Sequence, residues 1–398
     1  MGFFFPDDLF DAQAMRTLGH APYGGADLGE CIATTGRITK TDAGQWFAQW
    51  SATARRIERL GDASAAAGRH ESARAAYFRA SNYFRTAGIF LMGAPTDSHL
   101  VESHRLQVET FRKAAALLAI PAEVLEIPFE SHALPAYFFR PSNDDSPKPT
   151  VILTGGYDGT VEELYFANGV AALERGYNVL AFDGPGQGSL IIDGGVPFRP
   201  DWETVVSPVI DYAVSRPDVD PARVAIIGWS FGGYLAPRAA SGQPRIAACV
   251  SDCGPYDLFD ATMSRIPDAL RDYLQEGNRA AKRVLDGLWR YMEKKPSAGW
   301  ALRRNLWVHG VGDPLAFIEL SREYTLKGIE EKIRCPTFVA AAEGDELSSR
   351  AKQLFDALTC RKAYAWFTAA DGAGSHCESG ARTLFNQRAF DWLDSVLA

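Results

Sequence analysis

Three short stretches of this sequence carry residue types that could do chemistry together. The first is Gly228-Trp229-Ser230-Phe231-Gly232, a G-x-S-x-G pattern lying between an apolar, β-branched run from Arg223 to Gly228 and a helix-forming run from Tyr234 to Ala240. Strand, sharp turn and helix in that order would put the Ser230 hydroxyl at the tip of a strained turn. The flanking glycines leave room for the helix backbone to cross the strand, and the helix N-terminus offers free N–H groups to an oxyanion. A serine hydroxyl is a weak nucleophile without a base, and the base needs an orienting acid. Glu343-Gly344-Asp345-Glu346 follows an apolar run ending at Ala342, and Asp371-Gly372-Ala373-Gly374-Ser375-His376 follows one ending near Thr368. Ser230, Asp345 and His376 therefore occur in the chain order nucleophile, acid, base, each in a loop at a strand's C-terminal end. Glu343 and Glu346 compete for the acid role, and Gly344 favours Asp345 because it permits the tight turn that would aim Asp345 at His376.

An oxyanion needs two N–H donors. Phe231, next after the nucleophile, supplies one, and the loop after the strand ending at Thr154 should supply the other. Gly155-Gly156-Tyr157 fits that loop, with the Tyr157 N–H as the expected donor. Gly156, Asp158 and Trp229 are the candidate substrate contacts. Of the other histidines, His309 alone could line a pocket; His20, His70, His99, His104 and His132 sit in helical or turn segments. The Gly-rich Asp183–Gly188 stretch lacks Gly-Lys-Ser/Thr and the dinucleotide spacing, so no nucleotide cofactor is expected. No H-E-x-x-H or C-x-x-C spacing is present, so neither a metal nor any other cofactor is expected. The six cysteines read as free thiols, and Cys377, beside His376, is either a packing residue or a reactive thiol.

These loops need a sheet to hold them. Residues 1 to about 118 read as helices, with a stripe through Trp46, Trp50, Ala54 and Ile57, a break over Gly61–Gly68 whose Ala run could itself be helical, and further helices over Glu71–Leu91 and His99–Leu118. At Ala122 the apolar period shortens to two, and Glu123–Glu130 and Leu134–Arg140 read as a hairpin. From Thr150 strands and helices alternate, including a helix over Val161–Gly176, which implies a mostly parallel sheet covered on both faces. The stretch from Pro255 to Arg334 breaks that rhythm and is rich in helix formers, so it reads as a helical insertion placed to act as a lid. The expected division is a helical cap at 1–120, a core at 121–254 and 335–398, and the lid at 255–334.

The chain has 398 residues, 46% hydrophobic and 23% charged, with a formal net charge of −8. That is a globular composition with a real core, and it argues against a nucleic-acid partner, which needs a concentrated positive face. No run approaches the ~18 apolar residues that span a bilayer. The start, Met1-Gly-Phe-Phe-Phe-Pro6, lacks a basic lead, so a cytoplasmic protein acting on a small molecule is expected, with no membrane partner.

Gly155–Glu163, Phe182–Gly188, Gly228–Gly233, Asp371–Cys377 and the Arg79–Arg85 helix together resemble the α/β-hydrolases that carry an N-terminal helical domain. That group includes the bacterial 2,6-dihydroxypseudooxynicotine hydrolase and the fungal polyketide-shortening hydrolases of pigment synthesis. The resemblance covers most of the chain and is weakest between Pro255 and Arg334. It implies an α/β-hydrolase fold, the triad Ser230, Asp345 and His376, and hydrolysis of a carbon–carbon bond next to a ketone. It also suggests a homodimer. Similar scaffolds cleave esters, amides or lactones, or pass the acyl group to another acceptor, so the leaving group stays open. Asp158 stands where a relative has Glu, and both substrate contact and bracing of the loop are open for it.

Overall fold

A computed structural model describes residues 2–268, 270–271 and 279–398. Eight strands form one sheet in the order β1-β2-β4-β3-β5-β6-β7-β8. They are β1 Glu123–Phe129, β2 His132–Phe139, β3 Lys148–Thr154, β4 Asn178–Phe182, β5 Val219–Gly228, β6 Ala248–Ser251, β7 Thr337–Ala342 and β8 Lys362–Phe367. The β1–β2 hairpin is antiparallel and β2 also runs antiparallel to β4, whereas every later pairing is parallel. Parallel strands buried on both faces need apolar residues at every position, and β4 and β7 are buried throughout. The period of two still sorts them. Val151 and Leu153 of β3 face one core with Ala225 and Ile227, while Ile152 faces the other with Ile226.

Register decides which loops meet. Thr154 pairs with Gly228, Gly228 with Ser251, and Ala342 with Phe367. The chain therefore leaves β3, β5, β6, β7 and β8 at one edge of the sheet, where the loops carrying Gly156, Ser230, Cys253, Asp345 and His376 begin.

The N-terminal region is helical, as expected, through α1 Asp8–Gly19, α2 Leu28–Thr35, α3 Ala43–Ala66, α4 His70–Gly88 and α5 Ser98–Ala115. Asp7, Asp27, Asp42 and Asp97 cap four of these helices by accepting from first-turn N–H groups. The expected break over Gly61–Gly68 is shorter than the sequence suggested, because α3 continues to Ala66. Gly61 serves close packing there: a Cβ on it would lie 2.7 Å from the Tyr77 ring of α4. The bundle docks on the sheet through aromatic pairs, with Phe78 stacked on Tyr165 at 5.0 Å and Phe111 edge-on to Tyr137 at 5.0 Å.

The expected helix over Val161–Gly176 is interrupted. A π turn at Tyr165–Gly169 separates helical turns at Val161–Leu164 and Val170–Leu173. The wider turn directs both Tyr165 and Phe166 into the core, where they are 5% and 1% exposed. Between β6 and β7 the described residues form helices at Leu258–Met263, Arg279–Met292, Pro296–Val308 and Pro314–Ser321. Among the described residues no helix is long and apolar enough to cross a membrane.

Candidate active site

The turn after β5 is tight by necessity. Ser230 has φ 64°, in the left-handed region that a non-glycine residue occupies only when its surroundings impose it. The helix Gly232–Gly242 crosses so close to β5 that a Cβ on Gly228 would fall 1.8 Å from the Gly232 carbonyl oxygen, and one on Gly232 would fall 2.5 Å from that of Thr154. Both glycines of the motif are therefore required by packing.

Ser230 Oγ lies 2.9 Å from His376 Nε2, and His376 Nδ1 lies 2.8 Å from Asp345 Oδ2. Asp345 is held from its other side by the Leu347 N–H at 2.9 Å and the Ser348 hydroxyl at 3.1 Å. Gly344 approaches the Gly374 carbonyl so closely that a Cβ would lie 2.9 Å from it, which joins the two loops. Glu343 accepts from the Ala369 N–H and Glu346 pairs with Arg265, so neither competing carboxylate reaches His376. Burial alone would raise the Asp345 pKa, but the His376 charge and these hydrogen bonds hold it below the ordinary value. Desolvation works to lower the His376 pKa; the Asp345 carboxylate outweighs it and raises the pKa well above the ordinary value. The His376 side chain keeps 47% of its surface exposed, so one side of the ring is open to an incoming molecule.

Gly156 faces the Ser230 hydroxyl. A Cβ on it would lie 2.8 Å from the Phe231 nitrogen and 2.9 Å from Ser230 Oγ. Among the described residues, neither the Phe231 N–H nor the Tyr157 N–H donates a hydrogen bond. Two free donors beside a hydroxyl have the geometry that a tetrahedral oxyanion requires. The Tyr157 side chain is anchored away from that space. Its ring packs on Phe231 at 4.5 Å, and its hydroxyl lies 2.8 Å from His309 Nε2. His309 is only 3% exposed, enclosed by Phe198, Phe317 and Tyr324. Burial lowers its pKa to about 3, so its ring is neutral.

The Alpha/beta hydrolase family model matches residues 151–384. This chain belongs to that family. It is 37% identical to "Hydrolase acrC" of Aspergillus aculeatus, covering 98% of this chain and 97% of the relative. It is 35% identical to "20-hydroxy-prefusarin hydrolase FUS2" of Gibberella moniliformis, covering 99% and 98%. Among solved structures, 2,6-dihydroxy-pseudo-oxynicotine hydrolase shares the fold, with a TM-score of 0.75 at 23% identity over 96% of both chains. The chain is thus an enzyme of the alpha/beta hydrolase family with an N-terminal helical region.

The side chains of two expected substrate contacts of this hydrolase, Asp158 and Trp229, are buried and engaged by arginines. Asp158 is buried and both its oxygens are engaged, one by Arg16 at 2.9 Å and the other by Arg304. Trp229 is 4% exposed, with the Arg16 guanidinium over its ring at 4.9 Å and that of Arg382 at 5.7 Å. Arg16 also bonds Glu163, whose carboxylate is fully buried and further contacted by His20 at 3.0 Å and Arg85 at 3.3 Å. Desolvation would raise the Glu163 pKa, yet the Arg16 and Arg85 charges hold it well below the ordinary carboxylate range. This buried network ties α1 and α4 to the start of the Val161 helix. Sequence reasoning passed over Arg16, Arg85 and Arg304, although arginines on the buried faces of otherwise apolar helices were a usable signal.

A second buried set lies beneath His376. Arg382 donates to Asp252 at 2.7 Å and to Glu378 at 3.3 Å. Burial, then the Asp252 charge, pushes the Glu378 pKa well above its ordinary value. Cys377 Sγ lies 3.5 Å from His376 Nε2, and Cys253 Sγ lies 3.4 Å from the Ser230 carbonyl. Ser230, Cys253, Cys377 and Glu378 account for four of the five non-glycine residues with positive φ among the described residues. The fifth, Glu130, is in the β1–β2 turn, so backbone strain is concentrated at this site.

Proposed function

We propose that this protein is a serine hydrolase that works through an acyl-enzyme and cleaves a carbon–carbon bond adjacent to a ketone in an aromatic or polyketide-like small molecule. The observation that carries the reading is the continuous Ser230–His376–Asp345 hydrogen-bond chain beside two unengaged N–H donors. Ser230 Oγ attacks the carbonyl carbon while His376 Nε2 takes its proton. Asp345 keeps Nδ1 protonated and supports the imidazolium. The Phe231 and Tyr157 N–H groups receive the oxyanion, and Gly156 leaves the space for it. As the tetrahedral intermediate collapses, the bonding pair leaves on carbon as an enolate or ring-stabilised carbanion, which His376 protonates. Water, deprotonated by His376, then hydrolyses the ester on Ser230 and restores the hydroxyl.

In this reading Asp158 and Trp229 brace the oxyanion loop and the elbow through Arg16, and the helices between β6 and β7 act as a lid that fixes Tyr157 through His309. The likeness to a relative named as a 20-hydroxy-prefusarin hydrolase supports a small-molecule substrate. The leaving group is tested by comparing turnover of an aryl β-diketone with that of p-nitrophenyl esters of matched acyl groups. Diketone cleavage that Ser230→Ala abolishes supports carbon–carbon hydrolysis. Esters turned over orders of magnitude faster, with the diketone inert, would make the enzyme an esterase or acyl transferase on the same machinery.

A further inference from the structure

The turn that carries His376 is held by buried charges that balance only if one carboxyl keeps a proton. Cys377 and Glu378 are consecutive non-glycine residues in left-handed backbone, at φ 49° and 50°. Such a turn persists only where its surroundings impose it. Here the clamp is Arg382, at the start of the C-terminal helix Arg382–Leu397. Its Nη1 donates to the Cys377 carbonyl at 3.0 Å, to Asp252 Oδ2 at 2.7 Å and to Glu378 Oε2 at 3.3 Å. Asp252 follows β6, and its own N–H donates to the Gly228 carbonyl at 2.9 Å, which anchors it to the strand end that carries Ser230. One guanidinium therefore joins the Ser230 turn to the His376 turn.

Asp252 and Glu378 are fully buried, and the Phe385 ring covers Arg382 at 4.1 Å. Around this set stand Cys253, Cys377 and His376, with Asp345 beyond them. Among the described residues, Arg382 is the one guanidinium or ammonium in contact with either carboxyl. Two carboxylates thus share one cation. A buried carboxylate without a charge partner takes up a proton in preference to staying ionised. The hydrogen bonds point the same way: Asp252 Oδ1 and Glu378 Oε1 have no donor, although the two side chains are within hydrogen-bonding reach of each other. A proton held between them removes the surplus charge and supplies the donor that the pair lacks.

We propose that Glu378 is a positioning residue of this enzyme: it stays protonated at neutral pH, donates to Asp252, and so locks the turn that aims His376 at Ser230. As pH rises, Glu378 gives that proton up to solvent. The two carboxylates then repel each other around Arg382, the left-handed residues lose their clamp, and the His376 ring leaves Ser230 Oγ. Activity is bounded on its alkaline side by Glu378. The effect on activity rests on the proposed role of His376 as base, whereas the shared proton rests on the buried charges alone.

The test compares the full chain with Glu378→Gln and Glu378→Ala. Glutamine keeps an N–H donor for Asp252 and an oxygen for Arg382 but cannot ionise. Burial and the Asp252 charge raise the folded pKa of Glu378, so its contribution to stability is complete below the unfolded carboxylate value of about 4.3 and is lost as pH rises through the folded value. The parent should therefore lose stability to urea, and kcat, on the alkaline side, and Glu378→Gln should lack both declines. Glu378→Ala should lower kcat by about tenfold to a hundredfold, with KM changing less, and Glu378→Gln should recover most of that loss. At neutral pH the infrared difference between parent and Glu378→Gln should show a protonated-carboxyl band that the variant lacks. The infrared and urea readings need no turnover, so they stand even if the serine mechanism fails. Absence of that band, or the same alkaline decline in parent and Glu378→Gln, overturns the proposal. If Glu378→Gln does not fold, carbon-13 NMR of the parent labelled at the glutamate carboxyls decides. A resonance at the protonated position at neutral pH supports the shared proton, and all resonances at the ionised position overturn it. Labelling glutamate alone leaves out Asp183, whose pKa burial also raises.

Discussion

Tyr157 Oη and His309 Nε2 stand 2.8 Å apart, and that bond joins the loop after β3 to the segment between β6 and β7. The two residues are 152 positions apart in sequence. In the proposed mechanism Tyr157 supplies an oxyanion donor through its backbone, so the side-chain bond matters by fixing where that N–H points. His309→Ala and Tyr157→Phe should each lower kcat by about tenfold to a hundredfold, the scale on which small misplacements cost rate, with KM changing less. An unchanged kcat in both variants would show that the loop holds its shape without this bond.

Gly156→Ala tests the space beside the nucleophile. The new methyl would lie 2.8 Å from the Phe231 nitrogen and 2.9 Å from Ser230 Oγ, in the space that the proposed mechanism gives to the oxyanion. We expect kcat to fall about 100- to 1,000-fold, the cost of losing one oxyanion donor. Wild-type turnover in this variant would place the oxyanion elsewhere.

The pH profile follows from the sign of the His376 shift. As the proposed base, His376 works when unprotonated, and Asp345 raises its pKa, so activity should be lost as pH falls through a value above the ordinary histidine pKa of about 6.5. Asp345→Asn should move that acid limb down and lower kcat by about four orders of magnitude. Measuring kcat/KM against pH for both proteins checks the shift; coincident limbs would contradict it.

Glu163 carries the buried ion network. Its folded pKa is depressed, so its contribution to stability is present above the unfolded carboxylate value of about 4.3 and is lost as pH falls below it. Glu163→Gln leaves Arg16, Arg85 and His20 without their shared carboxylate charge and should destabilise the protein by about 3–5 kcal/mol at neutral pH. Urea unfolding at neutral and acid pH reads this directly, and the gap between the two proteins should narrow in acid. A gap independent of pH would mean that packing, and not charge, accounts for the loss.

The turn at Ser230 and the loops that carry Asp345 and His376 were legible in the sequence because each is a local signal: a strand that ends, then a short loop with one polar residue of the right type. Their meeting point was legible through chain order, since parallel strands send all their C-terminal loops to one edge. Other features had no local signature. Cys253 and Cys377 are far apart in sequence, and only the loops after β6 and β8 bring them together. Gly61 looked like a helix breaker because its packing against Tyr77 depends on a helix that comes later in the chain. Asp158 and Trp229 were candidate substrate contacts, with bracing of the loop equally open for Asp158. Their side chains turn inward to Arg16, a residue from α1 that nothing near them in sequence announces.

The central claim is that Ser230 forms the covalent intermediate. The most direct measurement is intact-mass and peptide mapping of the folded protein after treatment with a fluorophosphonate. One adduct per chain on Ser230, absent from Ser230→Ala and strongly slowed in His376→Ala, is the predicted result. An unlabelled Ser230, or a Ser230→Ala protein that keeps full hydrolytic turnover, would contradict the account.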